Sequence, residues 1–113
     1  MARDRARTAR AALASGSPSS ATSLAYYAML YAARAALSEE DRNARTHRGT
    51  WQLFRATFVD TGRFDGELAA AAQETQALRE GADYDARRVS PDEAERMCEL
   101  AERFLGAIDD LVA

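Results

Sequence analysis

Apolar and polar positions alternate along this chain at helical spacing, and no stretch keeps the strict two-residue alternation of a half-buried strand. The strongest apolar run is Ala21–Leu37, ATSLAYYAMLYAARAAL, whose only charge is Arg34. Its alanines at 21, 25, 28, 32 and 35 step by four and three, which lines them along one side of a helix. A seam of methyl groups lets another helix approach closely, toward the lower end of the roughly 8–10 Å interaxial range. Leu24, Tyr27, Leu30 and Tyr31 widen the apolar surface. The spacing therefore predicts a central helix that the rest of the chain covers.

Residues 3–15 predict a short first helix. Ala2, Ala6, Ala9 and Leu13 recur on one side, Arg3, Arg7 and Arg10 fall on the wetter side, and Gly16 is a C-terminal stop. Ser17-Pro18 then supplies an N-cap and a first residue for the central helix. A third helix starts near Thr46 or His47 and carries Trp51, Phe54 and Phe58 at i, i+3 and i+7, an aromatic stripe suited to the core. Asp60-Thr61-Gly62 closes it, and Phe64 can staple the next helix. That fourth helix is expected from about Asp65 to Glu80, with Leu68, Ala71, Ala72, Thr75 and Leu78 inward and an interruption at Gly81. The last helix opens on Ser90-Pro91-Asp92-Glu93, a capping box with proline at the first helical position. Ala94, Met97, Ala101, Phe104, Leu105, Ile108 and Leu111 continue it at helical spacing. The fold expected is all-α, a single domain over 1–113: an up-and-down bundle of four main antiparallel helices plus a short N-terminal helix.

Composition narrows the setting. A chain of 113 residues, 47% hydrophobic, can bury one core without staples. Cys98 is the single cysteine, so no intramolecular disulfide forms. With no long apolar segment after the basic N-terminus, a reducing, cytoplasmic setting is expected. The central run is too short, too alanine-rich and too charged to span a membrane. The net charge of −3 conceals an asymmetry: residues 1–55 hold nine arginines against four acids, and residues 56–113 hold six against fourteen. All 15 basic residues are arginine, whose planar fork suits phosphate or carboxylate, although a coding bias gives the same pattern. The basic half can attract nucleic acid, or pair with the acidic half within one bundle or across a dimer.

Most familiar sites are excluded. One histidine and one cysteine make no zinc cluster, and without lysine there is no Walker motif. No metal or cofactor is expected. Glu93, Glu95, Glu99 and Glu102 lack the Glu-x-x-His spacing of di-iron bundles and read as a solvated face. Two constellations remain. Arg42-Asn43-Ala44-Arg45-Thr46-His47-Arg48 gathers cations around the only histidine at a helix start, where an anion can bind or Thr46 can simply cap. In Arg79-Glu80-Gly81-Ala82-Asp83-Tyr84, Arg79 and Asp83 are four apart and pair if the helix persists, with Tyr84 beside them.

Several motifs then fall together in order: AYYAMLYAARAAL at 25–37, THRG at 46–49, TGRF at 61–64, LREGADYD at 78–85 and SPDEAERMCELAERFL at 90–105. With them the chain resembles the small stand-alone HEPN-domain proteins, along essentially its whole length. The resemblance implies a helical bundle that dimerises around a functional cleft. It also implies nucleotide or RNA binding and partnership with a minimal nucleotidyltransferase in a toxin–antitoxin-like pair. Many catalytic members are metal-independent ribonucleases with an R-x(4–6)-H motif. At the matching place this chain has Arg79 and then Tyr84, not histidine, and a phenol with an ordinary pKa near 10 is a poor base at neutral pH. Arg42-x(4)-His47 fits the expression but stands at the start of the third helix.

The resemblance thus marks Arg79, Asp83 and Tyr84 as the catalytic candidates. Tyr84 is also the candidate for modification by a partner nucleotidyltransferase. Tyr26, Tyr27, Arg34, Arg45 and His47 are the candidates for contacting nucleotide or RNA. Three readings stay open: a nucleotide- or RNA-binding partner protein, an endoribonuclease toxin, and a non-catalytic dimerisation module.

Overall fold

The computed structural model describes the backbone of residues 2–84 and 89–113, and the side chains of these except at 78 and 80–84. Five α-helices follow in order: α1 (Ala2–Ala14), α2 (Pro18–Glu39), α3 (His47–Phe54), α4 (Gly66–Tyr84) and α5 (Pro91–Val112). A π-helical turn over Arg55–Val59 extends α3. No strand occurs among the described residues, and the architecture is the expected all-α bundle. Among them, too, no helix is long and apolar enough to cross a membrane.

Turn chemistry sets the boundaries. After α1, Gly16 takes φ +85°, its N–H bonds to the Leu13 carbonyl, and Ser17 N–H bonds to Ala12. After the π turn, Gly62 at φ +77° bonds to Val59 and Arg63 to Phe58. Both are Schellman motifs, which need a left-handed residue just past the helix. α2 ends the same way with a non-glycine: Asp41, at φ 56°, donates to Ser38 while Arg42 donates to Leu37. Aspartate is among the few residues that tolerate that conformation. At the starts, Thr46 caps α3 through Gly49 N–H, and Ser90 and Glu93 form the complete capping box of α5. Ser17 holds the N-cap position of α2 without a side-chain bond.

α2 is the central element. Ala21, Ala25, Ala28, Ala32, Ala33 and Ala36 are buried along it with Tyr26, Met29, Leu30 and Leu37. The expected seam thus holds as far as Ala32, then passes to Ala33 and Ala36, and Ala35 is exposed. A helix of 3.6 residues per turn drifts off a repeating four-three pattern, so a long stripe slides around its surface. Trp51, Phe54, Phe58, Phe64 and Phe104 close the core beneath it in edge-on and tilted pairs with ring centroids 5.0–6.1 Å apart.

Two further expectations change. α4 runs through Gly81 to Tyr84 instead of breaking there. One glycine costs a helix only about 1 kcal/mol against alanine, too little to end it. Its buried side is Leu68, Ala69, Ala72 and Thr75, with Ala71 half-buried; Leu78 lies outside the described side chains. The charge asymmetry is spent partly within the bundle, since Arg3 pairs with Asp109, and Arg10 with both Glu95 and Glu102, joining α1 to α5.

Candidate functional site

Four side chains from three helices converge on one face of α2. Tyr26 and Tyr27 are neighbours on that helix, one fully buried and one half-buried. Their rings meet edge to face, with centroids 5.6 Å apart. His47 enters from the first turn of α3, where the Thr46 cap fixes the backbone. Its ring lies 5.7 Å from that of Tyr26 and 6.0 Å from that of Tyr27. Arg79 reaches across from α4, and its Nη2 donates to the Tyr27 hydroxyl at 2.7 Å. The guanidinium also lies 4.8 Å from the Tyr27 ring centroid and 6.0 Å from that of Tyr26, within cation–π range.

The hydroxyl of Tyr26 is held from two sides. Trp51 Nε1 donates to it at 3.3 Å, and His47 Nδ1 lies 3.3 Å from it. An indole N–H only donates, so the phenol oxygen accepts from Trp51; toward His47 Nδ1 it donates when that nitrogen carries no hydrogen and accepts when it does. Burial pushes the Tyr26 phenol above its ordinary value, so it stays protonated and able to donate.

Arg34 stands about two turns further along α2 than the tyrosines. Its Nε donates to Thr50 Oγ1 at 3.3 Å, and Thr50 in turn donates to the Thr46 carbonyl at 2.8 Å. It therefore braces the start of α3 from behind. Arg45 is exposed in the connection between α2 and α3 and shares none of these contacts. Arg42 turns away to donate to Thr57 on the π turn at 3.4 Å. Arg48 borders a shallow groove with Gln73, Gln76 and Ala77 of α4. The histidine region is thus divided: His47 joins the tyrosines, and the arginines around it disperse. The Arg79–Asp83 pair and the position of Tyr84 lie outside the described side chains.

Sequence spacing alone did not expose Trp51 as the donor that fixes Tyr26, nor the bond from Arg79 to Tyr27. Trp51 lies at i+4 from His47, a spacing that places both on one side of α3. Among the described residues no group of three His, Cys, Asp or Glu side chains is placed to hold a metal ion. The remaining acids nearest to being a cluster, Glu95 and Glu102, are bound to Arg10. That contact holds Glu102 below the ordinary carboxylate value, chiefly through the hydrogen bonds from Arg10. Chemically, the Tyr26–Tyr27–His47–Arg79 cluster brings together a guanidinium, an imidazole and aromatic rings, residue types that suit a phosphate beside a base.

Comparison with known proteins agrees with this architecture. The chain is 34% identical over 86 residues to the Methanocaldococcus jannaschii protein named "Putative toxin MJ0142", covering 75% of this chain and 58% of that one. It is 31% identical over 88 residues to "Putative toxin MJ0605" of the same organism, covering 78% and 66%. A "UPF0332 protein" of Archaeoglobus fulgidus is 37% identical over 84 residues, covering 74% and 66%. The chain spans less than two thirds of the length of each. The sequence model of the HEPN domain matches residues 1–111, and with that near-complete match the chain belongs to the HEPN domain family.

Proposed function

We propose that this chain is a toxin-like HEPN protein that binds RNA or a nucleotide at Tyr26, Tyr27, His47 and Arg79. In this reading it acts in the cytoplasm as a homodimer, paired with a nucleotidyltransferase. The observation that carries the reading is the convergence of Arg79 and His47, distant in sequence, on two adjacent tyrosines. The names of the two Methanocaldococcus relatives support the toxin-like part. Arg34 and Arg45 serve beside the cluster, the first by bracing α3 and the second as an exposed cation within the same connection.

Arg79→Ala is expected to weaken binding of an oligoribonucleotide or a nucleoside monophosphate at least about tenfold, the loss of one charge-assisted phosphate contact. Anisotropy titration measures it, with thermal melting as the folding control. Unchanged affinity in a folded variant overturns the assignment. Co-purification with a nucleotidyltransferase, and the size of the protein in solution, test the partner and the dimer.

A metal-independent endoribonuclease is the second reading, favoured by His47 and Arg79 sharing one cluster. A base would take the ribose 2′-OH proton, and the oxygen would attack the adjacent phosphorus. The 5′-oxygen would leave, while arginine stabilised the charge. The motif position itself holds Tyr84, and an ordinary phenol is a poor base at neutral pH, which ranks binding above base catalysis. Incubation with RNA in chelator decides: 2′,3′-cyclic phosphate ends, lost in His47→Ala, establish the nuclease, and intact RNA removes it.

A further inference from the structure

α1 rests on α2 and α5 through a thin apolar face. Its buried residues are Ala6 and Ala9, and Leu13, its one larger apolar side chain, is half-buried. Covering a methyl group removes little area from water, so this face holds the helix far less than a stripe of leucines would. Charge supplies much of the rest. Arg3 pairs with Asp109, and Arg10 with Glu95 and Glu102, all across to α5. Arg10 takes both oxygens of Glu102, through Nε at 2.7 Å and Nη2 at 2.8 Å. An isolated exposed pair holds little, but a two-pronged arginine shared by two carboxylates is the geometry in which such pairs count.

On the side toward α2 the docked helix carries a cost. Arg5 lies over the Tyr31 ring, 5.0 Å from its centroid, and its Nε is covered and makes no hydrogen bond. Water would satisfy that donor once α1 lifted. The joint to α2 is short: Gly16 takes φ +85°, and Ser17 caps α2 without a side-chain bond. Beneath the clasp lies Cys98, 2% exposed. Glu95, Cys98 and Glu102 stand at i, i+3 and i+7, which puts the thiol on the side of α5 that meets Arg10. Leu105, a further seven residues from Cys98, lines a groove of about 280 Å³ with Arg3, Ala6, Arg7 and Arg10.

We propose that α1 is an ion-clasped strap, which lifts from α5 as a unit about Gly16 while α2 to α5 stay folded, and whose open population is set by ionic strength. Salt screens the clasp and leaves the alanine contacts in place. Elements with few buried apolar contacts are those that open below the cost of global unfolding. The open form bares Cys98 and the α1-facing side of Leu105 to solvent. The strap stands independently of the reading of the tyrosine cluster.

The experiment uses the whole protein and follows labelling of Cys98 by an aromatic disulfide reagent, with a free-cysteine peptide at each salt concentration to normalise the reagent. Labelling through a rapidly closing open state tracks the open population. Between about 0.1 and 1 M sodium chloride the screening length falls from about 10 to about 3 Å, and the rate for the parent should rise about fivefold. Arg10→Gln should raise the low-salt rate about tenfold and remove most of the salt dependence, and Arg10→Lys should recover part of the protection. Arg7→Gln should label as the parent does, because the ion pair of Arg7 is with Asp4 on its own helix. The rate should also respond to urea less steeply than global unfolding, since only one helix is released. Labelling indifferent to salt and to Arg10→Gln, or as steep in urea as global unfolding, overturns the strap.

Discussion

Tyr26 Oη lies 3.3 Å from His47 Nδ1, joining the middle of α2 to the first turn of α3. Trp51 Nε1 closes the arrangement from the core side. The contact does more than pin two helices, since it couples the phenol hydrogen to the imidazole tautomer, and a buried phenol donating to Nδ1 favours the hydrogen on Nε2. In the parent protein, nitrogen NMR of His47 above its titration should show the hydrogen on Nε2. In Tyr26→Phe that preference should disappear, because Nδ1 has lost its donor. An Nδ1–H tautomer in the parent would refute the assignment.

The same phenol gives an alkaline prediction. Burial raises the folded-state pKa of Tyr26 above the ordinary 10.0. A raised value in the folded state means that its stabilising effect is complete below pH 10, where both states are protonated. It is lost as pH rises from there through the folded value, because the unfolded chain ionises first. The parent should therefore lose stability relative to Tyr26→Phe above about pH 10, read by denaturant titration at stepped pH. Parallel curves would exclude it.

At the acid end the relevant pair is Arg10 and Glu102, with contacts of 2.7 and 2.8 Å that make a two-pronged bridge between α1 and α5. The folded pKa of Glu102 is lowered from its ordinary 4.5. The pair's contribution is thus full above that ordinary value and fades as pH falls through the depressed one. Glu102→Gln should cost at most about 1 kcal/mol at neutral pH, because the groups are solvent-exposed. The difference from the parent should vanish in strong acid. A constant difference across the range would remove the ion pair as its cause.

Gly49 explains itself through its neighbour. A Cβ there would stand 2.8 Å from Thr46 Oγ1, the oxygen that accepts from Gly49 N–H. Alanine must displace the capping hydroxyl. Gly49→Ala should therefore fail to deliver the roughly 0.5–1 kcal/mol gained from glycine-to-alanine changes in helices. In a Thr46→Ala background, where the cap is already gone, that gain should appear. A double-mutant cycle measures the coupling, and strict additivity would contradict it.

The fold was largely legible because its signals are local. Ser90 to Glu93, Thr46, Gly16 and Gly62 mark helix ends by chemistry confined to a few residues, and the aromatic stripe marks the core side of α3. The π turn over Arg55–Val59 left no such mark, since 51, 54 and 58 share a face in an ordinary helix as well. The site was legible as a set of residues but not as a set of contacts. Arg79 and Tyr27 are far apart in the chain, and no local rule joins them. Arg5 borders one edge of the α1 apolar stripe and Arg10 the other. Periodicity places both at that border, but what each meets depends on the neighbouring helix: acids on α5 for Arg10, Tyr31 on α2 for Arg5.

Trp51 is the only tryptophan of the chain. It is buried, and the one polar atom of its ring touches the same oxygen that faces His47. Its emission should therefore register the charge state of that histidine and any movement of the Tyr26 ring, although the indole itself is buried. The protein carries its own optical readout, joined to His47 through the Tyr26 hydroxyl. A pH or ligand titration followed by intrinsic fluorescence would report on the cluster without any label.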